Sequence, residues 1–364
     1  MSKLLRSLTV QHYRNLSDVS LDGLGRHTLL FGENGSGKTS LLEAVHILGT
    51  ARSFRSGKPR SQIQHGEERY VIHGRVARGG LGVQRSLSGE VILRVARETV
   101  RSAARLADEL PLLVINASSF DLLTGEPAQR RRLLDWGVFH VEHQDRETFP
   151  RFQRALGQRN QLLRRDRIDR IELEGWTREL AAQGSRLAAA RERFLQALAD
   201  EFAPVQKALA PELGSIELRY RQGWDSSQAF FEALERGADS DREQGFTQVG
   251  PQRADIRIQV DGYPAADTLS RGQQKLLVIA LKLAQGRLFA RDGSALTYLV
   301  DDLPSELDRE RCEKVCRLFR QLRVQTLITG VERSSIPDEW LKSDGEEVGV
   351  FHVEHGSVVK VDAR

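Results

Sequence analysis

The chain has 364 residues, 40% hydrophobic and 29% charged, with a formal net charge of +4. That is the make-up of a soluble globular protein with room for two domains, or for one domain carrying a large insertion. No run of about 18 apolar residues exists to span a membrane, the N-terminus is too polar for a secretory signal, and two cysteines, Cys312 and Cys316, make no disulfide framework and suit a reducing cytoplasm.

Residues 4–10 alternate in the manner of a strand, residues 19–21 suggest a second, and Thr28-Leu29-Leu30-Phe31 reads as a buried third. Gly32-Glu33-Asn34-Gly35-Ser36-Gly37-Lys38-Thr39 comes next and fits G-x-x-x-x-G-K-[ST] in full. Behind it Leu41, Leu42, Val45 and Leu48 recur at helical spacing, with Gly49 as the expected C-cap. Strand, glycine loop and helix are the context a phosphate-binding loop requires. Gly35 and Gly37 admit backbone angles closed to other residues, so several N–H groups can converge on phosphate. Lys38 is expected at the β and γ oxygens of ATP and the Thr39 hydroxyl on Mg²⁺.

Residues 70–76 and 91–97 look like strands of a small antiparallel region around Gly79-Gly80. From Pro127 to about Ala210 the pattern is helical. Its clearest amphipathic stretch, 178–202, sets Leu180, Leu187, Phe194, Leu198 and Phe202 close to one stripe. Basic residues cluster at Arg52, Arg55, Lys58 and Arg60, at Arg130, Arg131 and Arg132, and over 151–170, which holds seven arginines. Arginine forks onto phosphate better than lysine does. Strand signals return at 256–260, 296–300 and 326–328, and residues 348–361 read as a hairpin turning near His355-Gly356. The heptapeptide Gly-Val-Phe-His-Val-Glu-His occurs at 137–143 and again at 349–355; it is too short for a domain duplication, and its histidines are only a compositional hint of metal.

A metal-holding acid belongs at the end of another buried strand, and Tyr298-Leu299-Val300-Asp301-Asp302 supplies it. Asp301 is placed for the Mg²⁺ shell and Asp302 to polarise a water. Leu269-Ser270-Arg271-Gly272-Gln273 resembles the LSGGQ signature of ABC-type ATPases, and physically it is a helix start able to take an anion. Ser305-Glu306-Leu307-Asp308 is similar to the D-loop of the same class, giving Ser305 and Asp308 as its residues. In that class the signature completes a partner's site, so one loop and one signature per chain imply a homodimer closing over two ATPs.

Transporter ATPases carry loop and acid about half as far apart, and a switch histidine where this chain reads Thr329-Gly330. Both differences favour the SMC-like branch, whose heads act on DNA. Further motifs narrow this: Tyr-Arg-Asn-Leu at 13–16, Gly-Thr-Ala-Arg-Ser-Phe-Arg at 49–55, Leu-Asp-Trp-Gly-Val-Phe-His at 134–140, Arg-Ala-Leu-Gly-Gln-Arg-Asn-Gln-Leu-Leu at 154–163 and Gly-Pro-Gln-Arg-Ala-Asp at 250–255. Together they resemble the RecF family across essentially the whole chain, with departures at Ala117-Ser118 and Gln252.

The resemblance implies an α/β fold: an ABC/SMC-type ATPase head, with a P-loop mixed sheet, helices and an antiparallel subdomain, plus an inserted, mainly helical second lobe. The expected layout is head over 1–110, lobe over 111–245 and head again over 246–364. It also implies weak DNA-stimulated ATP hydrolysis and ATP-dependent homodimerisation on double-stranded DNA and at ss/dsDNA junctions. The implied partners are RecR, with RecO, RecA and SSB in the pathway. By similarity, Ser40 and Arg14 join the nucleotide contacts, with Arg52 and Arg55 nearby. Arg130, Arg131, Arg132, Arg164 and Arg165 are the DNA-contact candidates. The rival readings are a transporter ATPase subunit, a nuclease-coupled head, or a DNA-binding dimer with a decayed ATPase.

Overall fold

A computed structural model describes residues 4–291, 293–342 and 348–362. Strands β1 (Ser7–Tyr13), β2 (Leu16–Asp22) and β3 (His27–Phe31) precede the loop helix, Lys38–Thr50. After it come β4 (Arg69–Val76), β5 (Gly79–Ser86), β6 (Val91–Val95), β7 (Glu98–Val100) and β8 (Leu112–Ile115). The middle of the chain adds β9 (Ile216–Arg221), β10 (Asp255–Val260) and β11 (Tyr263–Pro264). The last part adds β12 (Thr297–Val300), β13 (Gln325–Gly330), β14 (Val348–Glu354) and β15 (Ser357–Val361).

The chain divides into two units, one running up to Ser119 and resuming at Phe289, the other Phe120–Leu288. In the first, an antiparallel sheet of order β2-β1-β4-β5-β6-β7 and a mixed sheet of order β15-β14-β3-β13-β12-β8 share one core. The loop helix supplies that core with Leu41, Leu42, Val45 and Leu48. Strands β14, β3, β13, β12 and β8 run parallel, so β3 and β12 deliver the glycine loop and Asp301 to the same sheet edge. Ligands of open parallel sheets bind at that edge.

Gly49 does not cap the loop helix. The helix ends at Thr50 with Ala51 left-handed (φ 55°), its N–H donating to the Ile47 carbonyl. Gly49 is needed instead for close approach: a Cβ there would lie 2.5 Å from the Leu112 side chain and 2.7 Å from the Leu110 carbonyl.

In the second unit the helices Pro127–His140, Thr148–Leu163 and Arg170–Leu209 pack with the small sheet β11-β10-β9. The stripe from Leu180 to Phe202 is buried as expected, within a helix of 40 residues. Two ion pairs of buried arginines fasten this unit. Arg159 donates to Asp241 at 2.7 Å and to Thr247, and Arg191 donates to Asp135 at 2.6 Å and to the Pro251 carbonyl. The family-like motifs around Asp135, Arg159 and Asn160 are therefore scaffolding, with Asn160 accepting from the Thr247 N–H and hydroxyl.

Residues 246–288, expected with the head, group with the lobe, because β10 pairs along its whole length with β9. The pairing partner β9 lies upstream in the same unit as the signature segment. The repeated heptapeptide is helical at 137–140 and then turns, whereas its second copy forms most of β14.

Gly49→Ala should lower unfolding stability by about 1–3 kcal/mol through overpacking against β8, although alanine is the better helix former by ~1 kcal/mol. Urea unfolding followed by circular dichroism reads this directly. An unchanged or higher midpoint would show that the helix can stand off from Leu112.

Candidate nucleotide-binding site

Between β3 and the loop helix the backbone turns through Gly32 (φ 155°), Gly35 (φ 82°) and Gly37 (φ 120°). Five of its carbonyls, those of Gly32, Glu33, Gly35, Ser36 and Gly37, are engaged. Lys38 Nζ donates to Gly32 O at 2.6 Å and to Glu33 O at 2.7 Å. Asn15 Nδ2 donates to Gly35 O, the Gly356 N–H to Ser36 O, and the Leu41 N–H to Gly37 O. Among the described residues nothing accepts from the N–H groups of Asn34, Gly35 or Gly37, and the buried Ser36 hydroxyl has no partner. A loop with most of its acceptors filled and three of its donors open is built for an anion, at the positive end of a 13-residue helix.

Lys38 is 7% exposed. Burial lowers its pKa, and the nearby Asp302 and Asp301 offset part of that. Thr39 Oγ1 donates to Asp301 at 3.0 Å, and Thr329 Oγ1 donates to the same carboxylate at 2.9 Å while accepting from the Asp302 N–H at 2.8 Å. Burial raises the Asp301 pKa; the two threonine hydrogen bonds pull against it without cancelling it. An acidic pair facing a lysine and a hydroxyl has the donor set for a Mg²⁺-bound triphosphate, so these residues fit that ligand. Asp302 itself is left-handed (φ 54°) and caps the short helix Leu303–Glu306, next to Ser305. Asp308 N-caps the helix Arg309–Leu322 through the Arg311 N–H.

Thr329 was not among the expected site residues. It stands at the end of β13, beside the acidic strand, where register alone points to it. Asn15 was also passed over. The structure commits Arg14 to Glu43: Nε lies 2.5 Å and Nη2 2.9 Å from its carboxylate, and Nη1 reaches the Ser61 carbonyl. Arg14, expected at the nucleotide, thus forks onto a fully buried acid, which also accepts from Ser53. Ser40 donates to Asn15 Oδ1 at 2.9 Å. Arg55 is close enough to Asp301 to draw its pKa down slightly.

The signature belongs to the lobe unit. Ser270 and Gln273 form a reciprocal cap, Gln273 Oε1 taking the Ser270 N–H and Ser270 Oγ the Gln273 N–H. Ser270, Arg271 and Gly272 are exposed, and a Cβ at Gly272 would meet nothing within 4 Å.

Of the DNA candidates, Arg130 is not available. Its guanidinium forks onto Asp255 at 2.6 and 3.2 Å and donates to the Leu122 and Gly125 carbonyls. A fork that fits phosphate fits carboxylate equally well, and the lobe uses it to hold the start of β10. Arg131 is half-buried on the Ala254 carbonyl. Arg132, Arg164 and Arg165 are exposed, Arg165 3.6 Å from Glu172.

A family model described as the RecF/RecN/SMC N terminal domain matches residues 4–358. The DNA replication and repair protein RecF of Stutzerimonas stutzeri (strain A1501) is 45% identical over 366 residues, covering 98% of this chain and 97% of that protein. The chain belongs to the RecF family. A second relative, RecF of Azotobacter vinelandii (strain DJ / ATCC BAA-1303), is 44% identical over 365 residues and 99% of both chains. Among solved structures, that of the recombination mediator protein RecF-ATP in the RecFOR pathway superposes with a TM-score of 0.86 at 23% identity, over 98% of this chain and 97% of that one. The Smc head domain from Pyrococcus furiosus, bound to the C-terminal domain of ScpA, follows at 0.60 and 14% identity, over 98% and 96%. The RecF fold and its kinship with SMC heads agree with the α/β head-and-lobe architecture expected from the motifs.

Glu43 links Arg14 to the loop helix. Burial alone would raise its pKa, but hydrogen bonds from Arg14 and Ser53 and the charge of Arg14 outweigh this and hold it below the ordinary value. A pKa lower in the folded than in the unfolded chain stabilises the fold above about pH 4.3, and the contribution fades as pH falls through the lower folded value. Glu43→Gln should therefore cost about 1–3 kcal/mol at pH 7, with the gap to the natural chain closing below about pH 4.3. Chemical denaturation at several pH values measures it; a gap constant down to pH 3, roughly, would refute the ion pair's role.

Proposed function

We propose that this chain is an ATP-dependent DNA-binding protein of recombinational repair. ATP binding drives homodimerisation on double-stranded DNA near single-strand gaps, and slow hydrolysis resets the dimer. In this reading it acts with RecR and RecO to load RecA on SSB-coated single strands. The observation that carries it is the phosphate loop, with carbonyls engaged and N–H groups open beside Lys38 and the Thr39–Asp301 pair.

Thr39 and Asp301 would hold Mg²⁺, which when bound neutralises charge shared by the β and γ oxygens. Lys38 gives up its loop carbonyls for phosphate oxygens at little cost, because one ammonium hydrogen bond replaces another. Asp302 accepts the proton of the attacking water. Its side chain is shorter than the Glu of transporter ATPases, which favours slow turnover and suits a switch better than a motor. The exposed Ser270–Gln273 helix start is the second grip, offered to the neighbour's nucleotide. Arg132, Arg164 and Arg165 contact phosphates, which position the duplex without reading its bases.

Sedimentation and duplex-DNA binding should both depend on ATP in the natural chain, and Lys38→Met should abolish that dependence. A dimer indifferent to ATP favours a decayed ATPase. Charge reversal at Arg164 and Arg165 should weaken DNA binding about 10-fold or more at moderate salt and flatten its salt dependence, with ATP affinity unchanged. A variant that binds DNA as tightly as the natural chain at both low and moderate salt would remove that patch.

A further inference from the structure

We infer that Asn15 and the turn of the C-terminal hairpin are positioning residues for the triphosphate: they hold the phosphate loop open from outside. The inference rests on the nucleotide reading above and assigns a task to two segments that reading leaves unused.

Asn15 lies in the β1–β2 turn, after Arg14 in the left-handed region (φ 52°). Its amide spans the loop, Nδ2 donating to Gly35 O at 3.3 Å and Oδ1 accepting from Ser40 Oγ at 2.9 Å. Apex and first helical turn are thereby tied through one side chain. On the other flank Gly356 (φ 79°) donates its N–H to Ser36 O at 2.8 Å. The two clasps also touch each other, for a Cβ on Gly356 would fall 2.3 Å from the Asn15 carbonyl oxygen. The hairpin presses on the loop base as well: a Cβ on Gly32 would lie 2.0 Å from Val353 O.

These contacts consume acceptors and leave donors. A peptide plane whose carbonyl is held outward must present the following N–H on the opposite side, so fixing Ser36 O aims the open Gly37 N–H inward, and fixing Gly35 O sets the plane whose Ser36 N–H donates to Glu33 O at 3.2 Å. Without the clasps the same peptides can flip, as glycine permits, and the cradle loses its convergence. Phosphate affinity depends on these planes being set before the ligand arrives.

The test is equilibrium binding of ATP and ADP to the full chain, with melting temperatures, for Asn15→Ala, Asn15→Asp, Gly356→Ala and Lys38→Met. Asn15 is exposed, so its variants should fold. Asn15→Ala should weaken both nucleotides about 10-fold at an unchanged melting temperature. Asn15→Asp keeps the acceptor for Ser40 but sets a charge against Gly35 O, and should weaken them more. Gly356→Ala should act in the same direction. Affinities within twofold of natural for the Asn15 variants, or losses that merely track a fall in melting temperature, overturn the clasp. If the natural chain binds no ATP, or Lys38→Met binds it equally, the nucleotide reading itself fails; those two results are separable.

Discussion

Everything at this site depends on the orientation of a few peptide planes between β3 and the loop helix. The carbonyls of Gly32, Glu33, Gly35 and Ser36 are taken by Lys38, Asn15 and Gly356, and the N–H groups of Asn34, Gly35 and Gly37 are left open. Gly37 and the unpartnered Ser36 hydroxyl are buried, and a buried polar group without a partner is costly, so a loop in this state favours an anion over any neutral occupant. Parallel pairing of β3, β13 and β12 brings Asp301 within 3.0 Å of the Thr39 hydroxyl, which joins the phosphate cradle to a carboxylate suited to a divalent cation.

The first unit is organised so that distant segments converge on this loop. Arg14 and Glu43 secure the β1–β2 turn to the loop helix, and the Ser53 hydroxyl adds the arginine-bearing segment behind it. The C-terminal hairpin closes the other flank, with the Phe31 and His352 rings 5.0 Å apart at its base. The lobe unit solves a different problem. Three of its arginines are spent internally: Arg130 on Asp255, Arg159 on Asp241 and Arg191 on Asp135. Outward it presents the capped helix start at Ser270 and many exposed arginines, Arg132, Arg164 and Arg165 among them.

Features governed by local covalent geometry were legible in the sequence. The glycine loop, the acidic strand end and the hairpin at His355-Gly356 each depend on residues within one short window, and all stand where expected. Features settled by distant partners were not. An arginine triplet reads the same whether it meets phosphate or carboxylate, and Arg130 turned out to face Asp255, 125 positions away. Gly49 looked like a helix stop, yet its role is set by Leu110 and Leu112. The repeated heptapeptide makes the point most directly. At 137–143 its glycine is pressed by the Phe194 ring inside a helical bundle, and at 349–355 it pairs with β3 as a strand. Thr329 was read only as an absent histidine, although its hydroxyl links Asp301 to the Asp302 backbone.

The most direct measurement is amide hydrogen exchange at Asn34, Gly35 and Gly37, compared with and without saturating ATP and Mg²⁺. Open donors that close on phosphate must exchange markedly more slowly when the nucleotide is present, and adenosine must leave them unchanged. Exchange at all three amides that ignores ATP would contradict the cradle, and with it the reading of this chain as a nucleotide-driven clamp.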